Sequence, residues 1–178
     1  DLVRGCYRFA NLKEDNLLPY LIQSADSFIV KNERFNVKSI ISGYHSSYES
    51  GRNSMMGLVG LCLSLGRIED AKDILLKYSK SISDGLIAEE IKLDGNNYAS
   101  VDTSLWFIYS CYKFYKYTKN LDFIRLNLWD KIKRIISTYK YRSVRFGFGM
   151  KSDGLISLND DGYLTWMNTL DRKGKCVE

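Results

Sequence analysis

The chain of 178 residues has one proline, Pro19, and one histidine, His45. A lone histidine with no second one and no cysteine beside it offers no zinc set, so His45 is read as a surface loop residue and no metal is expected. The four cysteines, Cys6, Cys62, Cys111 and Cys176, are widely separated. That spacing excludes close zinc-ligand or redox pairs and leaves reduced structural thiols, the pattern of a cytoplasmic protein. No run of about 18 apolar residues is present, which excludes a membrane-spanning helix and leads to a soluble protein with no membrane partner. Asp1–Cys6 lacks the basic-then-apolar layout of a leader, and Asp1 is read as a cut end. A one-sided charge balance is lacking too: 26 basic residues stand against 21 acidic, a net charge of +5. The basic excess between Lys113 and Arg145 recurs on one face of helical segments, with Lys131, Lys133 and Arg134 dressing an outer helix. That is a solvated face, so no nucleic-acid partner is expected. The glycines of "GFGMKSDG" do not lead from a strand into a helix with phosphate-loop spacing, which excludes nucleotide binding.

What is present, 45% hydrophobic and 26% charged residues, is the balance of one globular domain with a real core. Leu17, Leu18, Leu21, Ile22, Ala25 and Ile29 recur at helical spacing, with Asp15 or Asn16 available as a cap and Pro19 near the start. This predicts a helix over about 16 to 30. "NVKSIISGY" is a β-branched run that reads as a strand or an extended entry to a loop. "SMMGLVGLCLSLG" is apolar on nearly every side, is stopped by Gly66, and predicts a buried helix. Ile68, Ala71, Ile74, Leu75, Tyr78 and Ile82 form a single stripe, the mark of a half-exposed one.

Residues 83 to 100 carry Gly, Asn and Asp without a period and predict a long loop of the kind that is either functional or mobile. "VDTSLWFIYSCYKFYKY" then repeats the all-round apolar pattern. Phe123, Ile124, Leu128, Ile132, Ile135 and Tyr139 repeat the single stripe. The alternation of buried and half-buried helices predicts antiparallel helical hairpins, one member of each lining an interior, hence an all-α toroid with long junctions forming one functional face. Beyond Arg142, glycines at 147, 149, 154 and 162 predict short β pieces with turns.

Three clusters fall in the long loops or at the helix entries beside them: "GYHSSYESGRNSM", "NNYASVDTSLW" and "DGYLTWMNTL", with "GKCVE" closing the chain. Aromatic rings beside Asp, Asn, Arg and Glu suit a sugar, whose apolar C–H face stacks on Trp or Tyr and whose hydroxyls need paired donors and acceptors. Ordinary packing aromatics remain the alternative. Trp106 reads either as packed core or as a sugar platform. Arg52 reads as a structural partner of a carboxylate or of carbonyls, and Asp102 as a cap for a helix beginning near Thr103, a role compatible with sugar contact. Tyr139, Tyr141, Arg142 and Arg145 read as rim packing.

In order and spacing, "SIISGYHSSYESGRNSMMGLVGLCLSLGRIEDAKDIL", "SDGLIAEE", "NNYASVDTSLWFIYSCYKFYKYTKNLDF", "DGYLTWMN" and "GKCVE" resemble the C-terminal amylo-α-1,6-glucosidase domain of glycogen debranching enzymes, from about Ala25 to Glu178. The resemblance implies an (α/α)6 barrel. In the first loop Gly43, Tyr44, Gly51 and Arg52 match the family pattern Gly-Tyr-Pro-Trp-Phe-x-Asp-Trp-Gly-Arg-Asp. His45, Ser46, Ser47, Ser50 and Asn53 depart from it, and Glu49 keeps only a charge. In the second, Tyr98, Val101, Asp102, Ser104, Leu105 and Trp106 match, and Asp102 is implied to face sugar hydroxyls. In the third, "TWMN" aligns with Thr-Trp-Met-Asp, whose Asp is the family's general acid. Here that position is Asn168. The substrate-binding candidates are therefore Tyr44, Arg52, Asn53, Asp102, Trp106, Trp166 and Glu178, the last matching a family Glu near the sugar without the base role.

Inverting glycoside hydrolysis needs one carboxylic acid to donate a proton and one carboxylate to activate water, and an amide has no proton to transfer at neutral pH. The implied activity is removal of a glucose branch from glycogen or a branched oligosaccharide, without metal or organic cofactor. Against it stands a non-catalytic carbohydrate-binding or assembly subunit. A six-pair ring needs around twelve helices and this chain offers roughly four to six. Residues 1–178 are thus expected to form a single incomplete α/α-toroid domain, without the half that the resemblance implies to carry the base carboxylate, and completed by a copy of itself or by a separate second half.

Overall fold

The computed structural model describes residues 17–32, 37–44, 49–92, 94–98 and 100–158. Cys6, His45, Trp166, Asn168, Cys176 and Glu178 lie outside the described residues. Helix α1 spans Leu18–Ser27, with Pro19 in its first turn where a missing N–H costs nothing. It stops earlier than its apolar period predicts. Ile29 leaves the helix and opens strand β1, Ile29–Asn32, which pairs antiparallel with β2, Val37–Ile40, in the register Ile29 opposite Ile40 and Asn32 opposite Val37. The "NVKSI" strand supplies a ladder edge, and the β-branched pair Ile29–Val30 satisfies it better than a last helical turn could.

Helix α2 runs over Gly51–Leu58 and continues through a wider π turn, Val59–Leu63. Ser50 caps it by accepting from the Asn53 N–H at 3.2 Å. Gly66, with φ of 72°, turns the chain into α3, Ile68–Ser79. Helix α4 covers Asp102–Thr118. The left-handed Lys119 passes it into α5, made of Leu121–Phe123, a π turn Ile124–Leu128, and Trp129–Tyr141. A second antiparallel pair closes the described chain: β3, Phe148–Met150, against β4, Ile156–Leu158, where the glycine-rich tail predicts short β pieces.

One apolar cluster joins these elements. Met55, Leu58, Cys62 and Leu63 from α2 meet Ala71, Ile74, Leu75 and Tyr78 from α3, with Phe107, Cys111 and Phe114 from α4 and Leu128, Ile132, Ile135 and Tyr139 from α5. Ile40 of β2 and Phe148 of β3 seal its edges. The stripes read along α3 and α5 face this core. Burial pushes the Cys62 thiol up to about 12 and raises that of Cys111, so both behave as packing groups.

The all-α toroid is overturned: the described residues form five helical segments and two small antiparallel sheets, not a ring of hairpins. The alternation of fully buried and half-buried helices is absent as well. Helix α4 leaves Leu105, Tyr109, Tyr112, Tyr115 and Tyr117 exposed, and α2 leaves Met56 exposed. Counting tyrosine as apolar made α4 look buried on every side. Its outer rings instead keep their hydroxyls wet and stand beneath lysines one turn on, with the Nζ of Lys113, Lys116 and Lys119 at 5.2, 6.0 and 5.8 Å from the rings of Tyr109, Tyr112 and Tyr115. Both helices therefore have one core face and one outward face, as α3 does. Among the described residues no helix is long and apolar enough to cross a membrane.

Asp70 at the start of α3 ties three elements together. It accepts from Arg67 Nε at 2.7 Å and from Lys38 Nζ of β2, while Arg67 also reaches Asp26 of α1. Burial opposes ionisation of Asp70, but the hydrogen bonds from Lys38 and Arg67 outweigh it and hold the carboxyl below the usual range. A depressed folded-state value means stability that is present above the unfolded carboxylate value, near pH 4, and lost as pH falls through the folded one. Asp70→Asn is expected to cost about 1 to 2 kcal/mol at pH 7 and to flatten the loss of stability below about pH 4. Urea titrations at pH 7 and pH 3 check this; equal pH dependence in parent and variant would contradict it.

Candidate functional site

The first turns of α2 and α4 meet, and the meeting is built by residues far apart in sequence. Gly51 opens α2 against the 83–100 segment, with its N–H donating to the Glu89 carbonyl at 2.7 Å. A side chain there would put a Cβ 2.1 Å from the Ala88 carbonyl oxygen, so only glycine permits this approach. Arg52 follows. Its Nε donates to Asp102 Oδ2 at 2.8 Å, a charge-assisted bond between two largely buried side chains.

Asp102 lies inside the first turn of α4. Val101 takes the cap position, with no side-chain cap bond, so the capping role foreseen for Asp102 is not the one it has. Among the described residues, Asp102 Oδ1 is the one buried side-chain oxygen or nitrogen without a hydrogen-bond partner. Such an atom carries a desolvation cost until a donor reaches it.

Glu89 was missed by sequence reasoning. Its carboxylate accepts from Ser50 Oγ, from the Arg52 backbone N–H at 3.2 Å and from Thr103 Oγ1 at 3.0 Å. It sits 37 residues from Arg52 in a loop without periodicity. The one available signal was an acidic residue in a loop leading toward a helix N-terminus, where carboxylates are favoured.

The other candidates are placed by other elements. Tyr44, 58% exposed, donates its hydroxyl to the Ser27 carbonyl at 2.5 Å and packs its ring 5.9 Å from that of Phe28. Asn53 donates to Ser42 Oγ at 2.9 Å, joining α2 to the end of the β2 segment. Trp106 comes one turn after Asp102 on α4. It is half-buried, packs on the core and stands edge-on to Tyr109 at 5.7 Å. Glu49 pairs with Lys77 of α3 and so braces the loop.

Tyr98 belongs to a separate aromatic group. Its hydroxyl donates to the Ser81 carbonyl at 2.8 Å, and Arg145 covers both its ring and that of Phe146. Tyr139 is buried in the core and donates to the Val101 carbonyl, whereas Tyr141 is 72% exposed. Burial pushes Tyr78 up to about 12 and raises Tyr139, so neither phenol serves as a base near neutral pH. A cavity of about 380 Å³ lies along α3, bordered by Val37, Leu76, Lys77, Lys80 and Ile91, and neither Arg52 nor Asp102 lines it. Among the described residues no group of three or more His, Cys, Asp or Glu could hold a metal.

A buried arginine–carboxylate pair at two converging helix starts is suited to recognising a neutral, hydroxyl-rich ligand. The carboxylate offers an acceptor, and the guanidinium has further N–H donors beyond the one used. Residues 23–178 match the family model of amylo-alpha-1,6-glucosidase, and the chain belongs to that family. The resemblance to the C-terminal domain of glycogen debranching enzymes is borne out by this match. No curated protein matches the chain.

Proposed function

We propose that this protein recognises branched α-glucan at the Arg52–Asp102 pair, and that Asn168 leaves it a poor hydrolase or a binding subunit. The observation that carries the reading is the buried Asp102 Oδ1, which has a charged partner on its sister oxygen and none of its own. A sugar hydroxyl is a neutral donor of the kind this atom needs, and it brings no charge that would disturb the Arg52 pair. Trp166 would add a stacking surface and Glu178 a further acceptor, as the resemblance implies. The second reading, a carbohydrate-binding or assembly subunit without turnover, is favoured by the amide at 168, because binding by hydrogen bonds survives where proton donation does not.

Calorimetric titration with a branched limit dextrin tests the site. Asp102→Asn replaces one carboxylate oxygen by an amide donor and is expected to weaken dextrin binding by roughly tenfold, the fold-change of one lost charge-assisted hydrogen bond. Dextrin bound equally well by parent and variant would remove Asp102 from the site.

A further inference from the structure

Arg52 and Asp102 are 50 residues apart and stand on different helices. A 2.8 Å contact between two such side chains persists only if their backbones are fixed relative to each other. The structure shows what does the fixing. One atom, Glu89 Oε2, accepts both from the backbone N–H of Arg52 and from the hydroxyl of Thr103, the residue next to Asp102. The other oxygen accepts from Ser50 Oγ, the cap of α2, and the Glu89 carbonyl accepts from Gly51. Ser100 Oγ lies 2.9 Å from Thr103 Oγ1 and keeps that hydroxyl in place.

We propose that Glu89 is the positioning residue of the Arg52–Asp102 pair: its carboxylate ties the first turn of α2 to the first turn of α4, and the pair loses its geometry without that tie. This rests on reading the pair as the sugar-recognising element, but the tie itself can be tested without sugar. The role is hydrogen-bond acceptance at fixed points and not charge alone. A glutamine can meet most of it, with its carbonyl oxygen accepting from Arg52 and Thr103 and its amide donating to Ser50 Oγ. An alanine meets none of it.

Two readouts on the full chain decide the matter: exchange of the Arg52 Nε–H proton by NMR, and dextrin affinity by calorimetry. Glu89→Ala is expected to speed the exchange and weaken dextrin binding, each by roughly tenfold, whereas Glu89→Gln stays within about threefold of the parent in both. Glu89→Ala added to Asp102→Ala should weaken binding no further than Asp102→Ala alone, since both act through one pair. If Glu89→Ala does not fold, Thr103→Val removes one of the bonds and should move both readouts in the same direction by less. Unchanged Arg52 Nε–H exchange in Glu89→Ala, or equal effects of alanine and glutamine, overturns the proposal. A parent that binds no dextrin sinks the sugar reading alone, because the exchange measurement still reports on Glu89.

Discussion

Asn168→Asp raises glucose release from a branched limit dextrin by up to about 10²- to 10⁴-fold over the parent, the usual worth of a positioned general acid, wherever a second carboxylate is in place to activate water. The leaving oxygen of a glycosidic bond departs as an alkoxide unless a proton reaches it as the bond breaks. A carboxylic acid supplies that proton, and an amide at the same point can only donate a hydrogen bond. The substitution changes one atom type and almost no volume, so folding should be unaffected. Glucose assayed enzymatically after incubation with dextrin gives the rate, with Asp102→Asn in the same background as the control for binding. An unchanged rate in Asn168→Asp would strengthen the reading as a binding subunit, because restoring the acid alone does not restore turnover.

Gly51→Ala destabilises the protein by about 3 kcal/mol or more, an overpacking effect at the upper end because the clash is with main chain. The new Cβ would lie 2.1 Å from the Ala88 carbonyl oxygen and 3.2 Å from Tyr78 Cε1. Tyr78 is fully buried and the Ala88 carbonyl belongs to a buried backbone segment, so neither yields by a simple side-chain rotation. Relief requires α2 to move away from the 83–100 segment, which breaks the Gly51 to Glu89 bond and loosens the Arg52–Asp102 pair with it. Urea denaturation followed by circular dichroism measures the loss. A change under 1 kcal/mol would show that the two segments do not meet this closely.

Much of the local structure was legible because it depends on neighbours in sequence. The stripes of α3 and α5, the stop at Gly66, the strand at "NVKSI" and the β pieces after Arg142 follow from periodicity and turn chemistry over a few residues. The end of α1 was not legible. Ile29 fits the helical period as well as the ladder, and only pairing with Ile40 decides between them. The burial of α4 was misread for a chemical reason: tyrosine is apolar by ring and polar by hydroxyl. A row of tyrosines therefore cannot be assigned to core or water without knowing what lies opposite. From that misreading, and from the resemblance, came the expectation of an all-α ring, which the two sheets and the wetted face of α4 correct.

For the site, sequence motifs placed Arg52 directly after Gly51 and Asp102 ahead of an apolar helix, and raised a carboxylate partner as one reading of Arg52. They could not say that the two residues bind each other, nor that Glu89 holds both helix starts.

By itself the sequence determined the helical segments apart from the end of α1, the family, and the amide at position 168, because each of these is a property of residue identity and short-range order. Only the tertiary structure decided which carboxylate meets Arg52, which face of α4 is dry, and why Gly51 and Glu89 are needed. Those outcomes depend on distances between segments tens of residues apart, and such distances are set by packing of the whole core and not by any local pattern.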